Sequence, residues 1–297
     1  MVLREMKKDG EKIGHQADRR IVAATGLMIG AAVLGAADTV VVRLLTQDLH
    51  PFVIAFFRSL FGLLFVAPWI LRKRAMLKTN YSGLHLLRAG LKLLTLAAFF
   101  FAIAGVPLAD VTAIAFTTPI FVTLGAWIFL AEQPQARRVV AVVIGFGGVL
   151  LFLQPGREDI STALLFAVAG AILNAVIHLM LKKMSGRDPT DTLVAWNLIL
   201  IVPLSMLPAW WFWTTPTWPQ LGLLALQGGI GVLNMAAITR AMALADASYV
   251  APIDFLRLPM VAGFAFVFFA ETLAAWSVVG AAIIFISTLV MARRARG

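Results

Sequence analysis

One short cassette occurs twice in this chain, each time beside a long apolar stretch. The first copy runs Leu108-Ala109-Asp110, then Pro119, then Ala131-Glu132. The second runs Leu244-Ala245-Asp246, then Pro259, then Ala270-Glu271, roughly 140 residues further on. A duplicated apolar unit demands a fold made of two like halves. Duplicated halves in a membrane are a common construction of transporters.

The chain is 61% hydrophobic and 13% charged over 297 residues. A soluble domain carries roughly 25% charged residues, so this is an integral membrane protein. A net charge of +10 would point to nucleic acid in a soluble chain. Here the basic residues fall between apolar windows and set topology, so no nucleic-acid partner is expected. Cysteine is absent from the sequence, which excludes disulfides and Cys-based metal or redox chemistry. Residues 1–20 are polar and hold six Lys/Arg, and they read as a cytoplasmic tail. The apolar window that follows is long for a signal peptide and shows no convincing cleavage site, so it is expected to stay as a helix.

Windows of about 20 apolar residues are needed to span a bilayer as a helix. Ten such windows are legible: 21–45, 51–71, 84–105, 107–130, 138–154, 162–182, 190–213, 218–240, 247–269 and 273–292. None alternates polar with apolar residues as a barrel strand would. The expected fold is all-α, with ten transmembrane helices in two inverted five-helix repeats, 21–154 and 162–292, around a central cavity. A short tail, 293–297, would end the chain. With the N-terminus in the cytoplasm, Lys and Arg concentrate in the inner segments, as the positive-inside rule requires. Both termini are then cytoplasmic, in a cell (inner) membrane. Five spans per repeat is odd, so the second copy must enter the membrane upside down. Inverted repeats put a substrate site near the midplane between the halves.

Two five-helix units, each with a proline followed by a small residue and Glu, resemble the EamA unit of the drug/metabolite transporter superfamily. The run Thr239-Arg240-Ala241-Met242-Ala243-Leu244-Ala245-Asp246-Ala247-Ser248 is characteristic of its second repeat. The resemblance covers about Ile21 to Met291 and is greatest to the YddG-type exporters of aromatic amino acids. It implies a ten-helix basket with alternating access. Two departures stand out. The family's usual Gly-Glu pair reads Ala-Glu in both copies. His50-Pro51 leads to Arg58 with the same spacing that takes Asp188-Pro189 to Trp196, so the arginine of the first half has a tryptophan as its counterpart.

Ionisable groups inside a bilayer cost at least about 2.5 kcal/mol each near a helix centre, so they tend to face a bundle interior or water. Asp38 offers a carboxylate for an ammonium group or a proton. Arg58 offers a guanidinium fork for a carboxylate. Lys92 lies deep in its window, one turn beyond Arg88, for which snorkelling to the headgroups is expected. Asn174 and His178 share a helix face, and Asn234 lies in the eighth window. Tyr249 opens the ninth window, where Asp254 and Arg257 are three apart and can pair. These nine residues (Asp38, Arg58, Lys92, Asn174, His178, Asn234, Tyr249, Asp254 and Arg257) are the candidate substrate-binding or cavity-lining set. Pro119, Pro252 and Pro259 are candidate helix breaks or gating points, because proline removes a backbone donor and frees carbonyls on the preceding turn. Glu132 and Glu271 mark helix ends. Gly26 and Gly30 form a GxxxG pair, continued by Gly35, that allows close helix packing. Trp210, Trp211, Trp213 and Trp218 read as an interfacial aromatic belt.

The expected function is therefore secondary transport: export of small metabolites, most of all amino acids, aromatic and other neutral ones. The alternative is export of drugs or of nucleoside- or sugar-type metabolites. No P-loop is present, so transport is gradient-driven or facilitative. No HExxH or GxSxG motif appears, no metal site and no cofactor is expected, and the chain is not expected to be an enzyme. No filter-like loop suggests a channel. The expected partners are a small-molecule substrate and the lipid bilayer, with a monomer as the default.

Overall fold

The computed structural model describes residues 2–105, 111, 114–133, 135–153, 162–269 and 275–292. All regular structure among them is helical: α1 Val2–Leu45, α2 Pro51–Arg72, α3 Ser82–Gly105, α4 Thr118–Phe129, α5 Ala136–Leu153, α6 Thr162–Met184, α7 Thr190–Trp211 and α8 Trp218–Leu244. One turn, α9 (Ala247–Val250), runs into a 3-10 segment, Ala251–Leu256, and then α10 (Arg257–Phe269); α11 is Ala275–Ala292. Among the described residues, six helices are long and apolar enough to cross a membrane: the Arg19–Leu45 part of α1, then α2, α6, α7, α8 and the Ala247–Phe268 run. Asp110, Glu271, Arg157 and the 293–297 tail lie outside the described residues.

Several boundaries differ from the apolar windows. Helix α1 starts at Val2, so its polar first turns continue into the apolar span without a break. The 107–130 window is not one helix: a turn at Phe116-Thr117 precedes the 12-residue α4, and Pro119 stands in that helix's first turn. Proline belongs there, because its missing N–H is unneeded and its φ is preset. Pro51 opens α2 in the same way, with His50 as the cap, its Nδ1 accepting from the Phe52 amide at 3.3 Å.

The principal helix pairings keep their pattern when the halves are exchanged. Helix α1 packs on α8, and α3 on α6. Helix α2 packs on α8, and α3 on α7. Helix α1 packs on α10, and α4 on α6. Helix α2 meets α7, and α5 meets α11. Each of these eight partnerships is thus either matched by its counterpart or is its own counterpart, whereas the α7–α8 contact has no α2–α3 contact of like extent among the described residues. The largest core cluster is built around the broken ninth run: Val250, Ile253, Phe255 and Leu256 are buried against Met28 of α1, Val122 of α4 and Ile284 of α11. Trp210, Trp211, Trp213 and Trp218 are all exposed.

The GxxxG expectation on α1 is corrected. A Cβ built at Gly26 or Gly30 would meet nothing within 4 Å, whereas one at Gly35 would lie 2.9 Å from Cδ of Arg257. The close approach is made by Gly35 alone, because the Gly26/Gly30 face of α1 points away from α8 and α10.

Candidate functional site

Two charged clusters face the interior of the bundle. In the first, Arg58 Nη1 of α2 lies 3.2 Å from Asp38 Oδ2 of α1. Glycine at position 231 makes room for the guanidinium: a Cβ there would sit 3.0 Å from Arg58 Nε and 3.1 Å from Nη2. Lys92 of α3 stands in the field of Arg58, Arg88 and Asp38. A small cavity of ≈40 Å³ opens here, lined by Arg58, Ser59, Lys92, Asn197, Gly231 and Met235. Lys92 is exposed and is one of the residues that line this cavity.

The second cluster lies where the ninth run breaks. Arg257 Nη2 reaches Asp254 Oδ2 at 3.3 Å across three residues. The Arg257 guanidinium also lies 5.3 Å over the Phe116 ring, beside the turn that precedes α4. Its aliphatic stem fills the space left by Gly35, where the Asn234 amide also points. His178 of α6 stands in the field of Asp254, Arg257 and Lys92, which links the two clusters. Three polar atoms in this zone have no hydrogen-bond partner among the described residues: Asp38 Oδ1, Asn234 Oδ1 and His178 Nδ1. Unpaired buried polar atoms are costly, about 1–3 kcal/mol each, so a native protein that keeps them generally puts them to use.

Seven of the nine candidates thus fall in one polar zone: Asp38, Arg58 and Lys92 on one side, and His178, Asn234, Asp254 and Arg257 on the other. Asn174 lies one turn before His178 on α6 and is half-buried. Tyr249 does not join them. Its ring is buried in the main core and its hydroxyl lies 2.8 Å from Thr25 Oγ1, so it ties the ninth run to α1. Pro252 stands at the start of the 3-10 segment and Pro259 in the first turn of α10. The snorkelling expected of Arg88 is also corrected. Its side chain is trapped between α3 and α7 at 2% exposure and donates to the Leu193 carbonyl at 2.6 Å. Sequence reasoning missed Asn197, Ser59 and Phe116. Nothing in their types marks them, and only the helix crossings bring them to the cavity.

At one end of the bundle a second polar group joins the halves. Glu132 accepts from the backbone amides of Ala247 (2.8 Å) and Ser248 (3.1 Å) and from Ser248 Oγ at 2.5 Å. Arg138 bridges Glu132 at 3.6 Å and Asp246 at 2.7 Å. Lys182 Nζ of α6 donates to the Met242 and Ala245 carbonyls at the end of α8. Glu132 therefore does more than mark a helix end. It caps the start of α9, where orphan amides and the helix dipole favour a carboxylate.

The first-half loop is tied to the second half by Asp188. Its carboxylate accepts from Thr79 Oγ1, the Asn80 amide (3.1 Å), Asn80 Nδ2 (3.0 Å) and His85 Nε2 (3.3 Å). Burial pushes this carboxyl up, but those hydrogen bonds outweigh it and hold the group below its ordinary value.

The EamA-like transporter family model matches the chain twice, at residues 23–154 and 161–293. A riboflavin transporter of Rhizobium johnstonii is 34% identical over 242 residues, 80% of each chain. An S-adenosylmethionine uptake transporter of Rickettsia bellii is 29% identical over 265 residues, 89% of this chain and 91% of that one. A solved crystal structure superposes with a TM-score of 0.75 at 17% identity, covering 91% of this chain and 96% of that one, a likeness of fold alone.

Proposed function

Because this chain belongs to the EamA-like transporter family, we propose that it is a secondary carrier for a water-soluble metabolite that joins an aromatic heterocycle to a polar, hydrogen-bonding chain. The observation that carries this reading is the internal polar zone. Charged and amide groups from both halves (Asp38, Arg58 and Lys92; Asn234, Asp254 and Arg257) converge among apolar helices. Such a zone between repeats suits a substrate site reached alternately from either side. Riboflavin and S-adenosylmethionine, which the two relatives are named for, are both molecules of this class.

The ion pairs suit a carrier energetically. Arg58–Asp38 and Arg257–Asp254 are each held by one contact and are partly exposed. Pairs of that kind contribute about 0–1 kcal/mol. A substrate group can therefore replace one partner at little cost, and leave again at little cost. Alternating access then needs the interruptions near Pro119, Pro252 and Pro259, where free carbonyls and short helices allow one end to close as the other opens. Neither relative is named for amino-acid export, and one is named for uptake. Amino acids remain a second reading, favoured by the presence of cations for a carboxylate and of Asp38 and Asp254 for an ammonium in one zone. The distribution of Lys and Arg supports a reading with both termini in the cytoplasm.

Counterflow in proteoliposomes tests the proposal with labelled riboflavin, S-adenosylmethionine and tryptophan. Accelerated exchange of the first or second is expected. Exchange of tryptophan alone would favour the second reading, and no accelerated exchange of any of the three would overturn both. Arg58→Ala and Asp254→Asn are expected to lower exchange with folded protein retained. Unchanged kinetics in both would remove these residues from the site.

A further inference from the structure

The cavity between α2, α3, α7 and α8 is chemically lopsided. Lys92 stands in the field of two further cations, Arg58 and Arg88, and of one carboxylate, Asp38. That carboxylate is already engaged by Arg58 Nη1. Arg88 is turned away to the Leu193 carbonyl. Among the described residues no hydrogen bond or ion pair is made by the Lys92 ammonium, which is exposed to the cavity. A cation in a bundle interior without a counter-ion is expensive. Its field favours a negative charge in the adjoining space.

The rest of the wall fits an oxyanion. Asn197 offers a side-chain amide donor to the cavity; Ser59 also lines it, with its hydroxyl donating to the Ala55 carbonyl at 2.7 Å. Asn197 is buried at 3% exposure. The Nε–Nη2 edge of Arg58 lies against Gly231, with no Cβ in the way. The volume, ≈40 Å³, is room for on the order of three waters. That accommodates the three heavy atoms of a carboxylate with little to spare.

We propose that this cavity is a carboxylate subsite, with Lys92 as the cation that receives the carboxylate end of the transported molecule and Arg58 and Asn197 completing its shell. The proposal rests on the reading that the polar zone is the transport path. It divides the substrate class, since S-adenosylmethionine carries a carboxylate and riboflavin does not. An uncharged substrate would leave Lys92 without a counter-ion in every state.

The test uses the full chain in detergent and follows its thermal unfolding at fixed ionic strength in acetate, acetamide and inorganic phosphate, with chloride as the balance. Acetate is expected to raise the midpoint saturably, as binding to the folded state alone requires. Acetamide, its uncharged isostere, is expected to leave the midpoint unchanged. Lys92→Met should abolish the acetate effect and Lys92→Arg should keep it. Equal responses to acetate and acetamide, or an acetate effect that survives in Lys92→Met, would overturn the subsite. A larger response to phosphate than to acetate would overturn the carboxylate assignment in favour of a phosphoryl group. Counterflow separates this outcome from the parent reading. Exchange of riboflavin with no acetate effect would leave the carrier standing and remove the subsite. An acetate effect with no exchange of any labelled substrate would leave an anion site on Lys92 and overturn its role in transport together with the carrier reading.

Discussion

Glu132 caps the helix that Ser248 helps to begin, so the end of one half's cassette closes on the start of the other half's broken helix. Both carboxylate oxygens are used: Oε1 takes the Ala247 amide and Oε2 the Ser248 amide and hydroxyl. Hydrogen bonds to a charged group contribute about 1.5–3 kcal/mol each, and a lost cap costs about 0.5–2 kcal/mol. Glu132→Ala is therefore expected to destabilise the protein by about 2–3 kcal/mol, read as a lower unfolding midpoint in detergent. An unchanged midpoint would mean that the cap contributes nothing to the folded state.

Among the described residues Ala131 is the one non-glycine residue with a left-handed backbone, at φ 54°. The chain turns there so that the Glu132 amide can reach back to the Ala126 carbonyl at 3.2 Å. An L-residue in that region carries a penalty of roughly 1–2 kcal/mol, partly offset because glycine would make the unfolded chain freer. Ala131→Gly is expected to stabilise the protein by about 0.5–1 kcal/mol. A drop in the unfolding midpoint would contradict the left-handed turn.

Gly231 is expected to be intolerant and Gly26 and Gly30 tolerant. A methyl group at 231 would press on the Arg58 guanidinium, and one at 26 or 30 would meet open space. Displacing Arg58 from a charge-assisted contact costs about 1.5–3 kcal/mol, or about ten- to a hundredfold in apparent substrate affinity. Counterflow by Gly231→Ala should show that loss with normal amounts of folded protein. Gly26→Ala and Gly30→Ala should match the parent, and a comparable loss in either would reveal a packing partner on that face.

Asp188 sets an acid limit on stability. Its folded value lies below the ordinary 3.8. Its stabilising contribution is thus full above the unfolded value and is lost as pH falls through the depressed folded one. Asp188→Asn is expected to cost about 1–3 kcal/mol near neutral pH, because the new NH2 faces the same donors. The gap between parent and variant should stay constant from neutral down to about pH 5 and shrink only in stronger acid. A gap that closes near neutral pH would assign the effect to another group.

Much of the scaffold was legible because membrane helices announce themselves by length and hydropathy, and repeats by spacing. The pairing of Asp254 with Arg257 followed from helical geometry alone. Arg88 was misread because snorkelling is decided by which neighbour a helix face meets, and that neighbour, α7, lies about a hundred residues away in the chain. Tyr249 was misread for the same reason: its partner is Thr25, far upstream. The 107–130 window looked like one span because apolar residues run through the Phe116-Thr117 turn without interruption. Substrate class was beyond composition, since cations and carboxylates in one zone suit an amino acid, a nucleoside-like molecule or one another. The relatives narrowed it where the residues did not.

The exchange symmetry of the principal helix pairings means that this chain is built like a two-subunit assembly whose subunits share one polypeptide. In a true dimer of identical subunits any arginine lining the central space would be present twice. Fusion lifts that obligation: Arg58 stands in one half, and its counterpart Trp196 donates instead to the Leu77 carbonyl at 3.2 Å and stacks on His85. The halves keep their shared mechanics while the cavity between them becomes lopsided, which is what recognition of a molecule with two unlike ends requires.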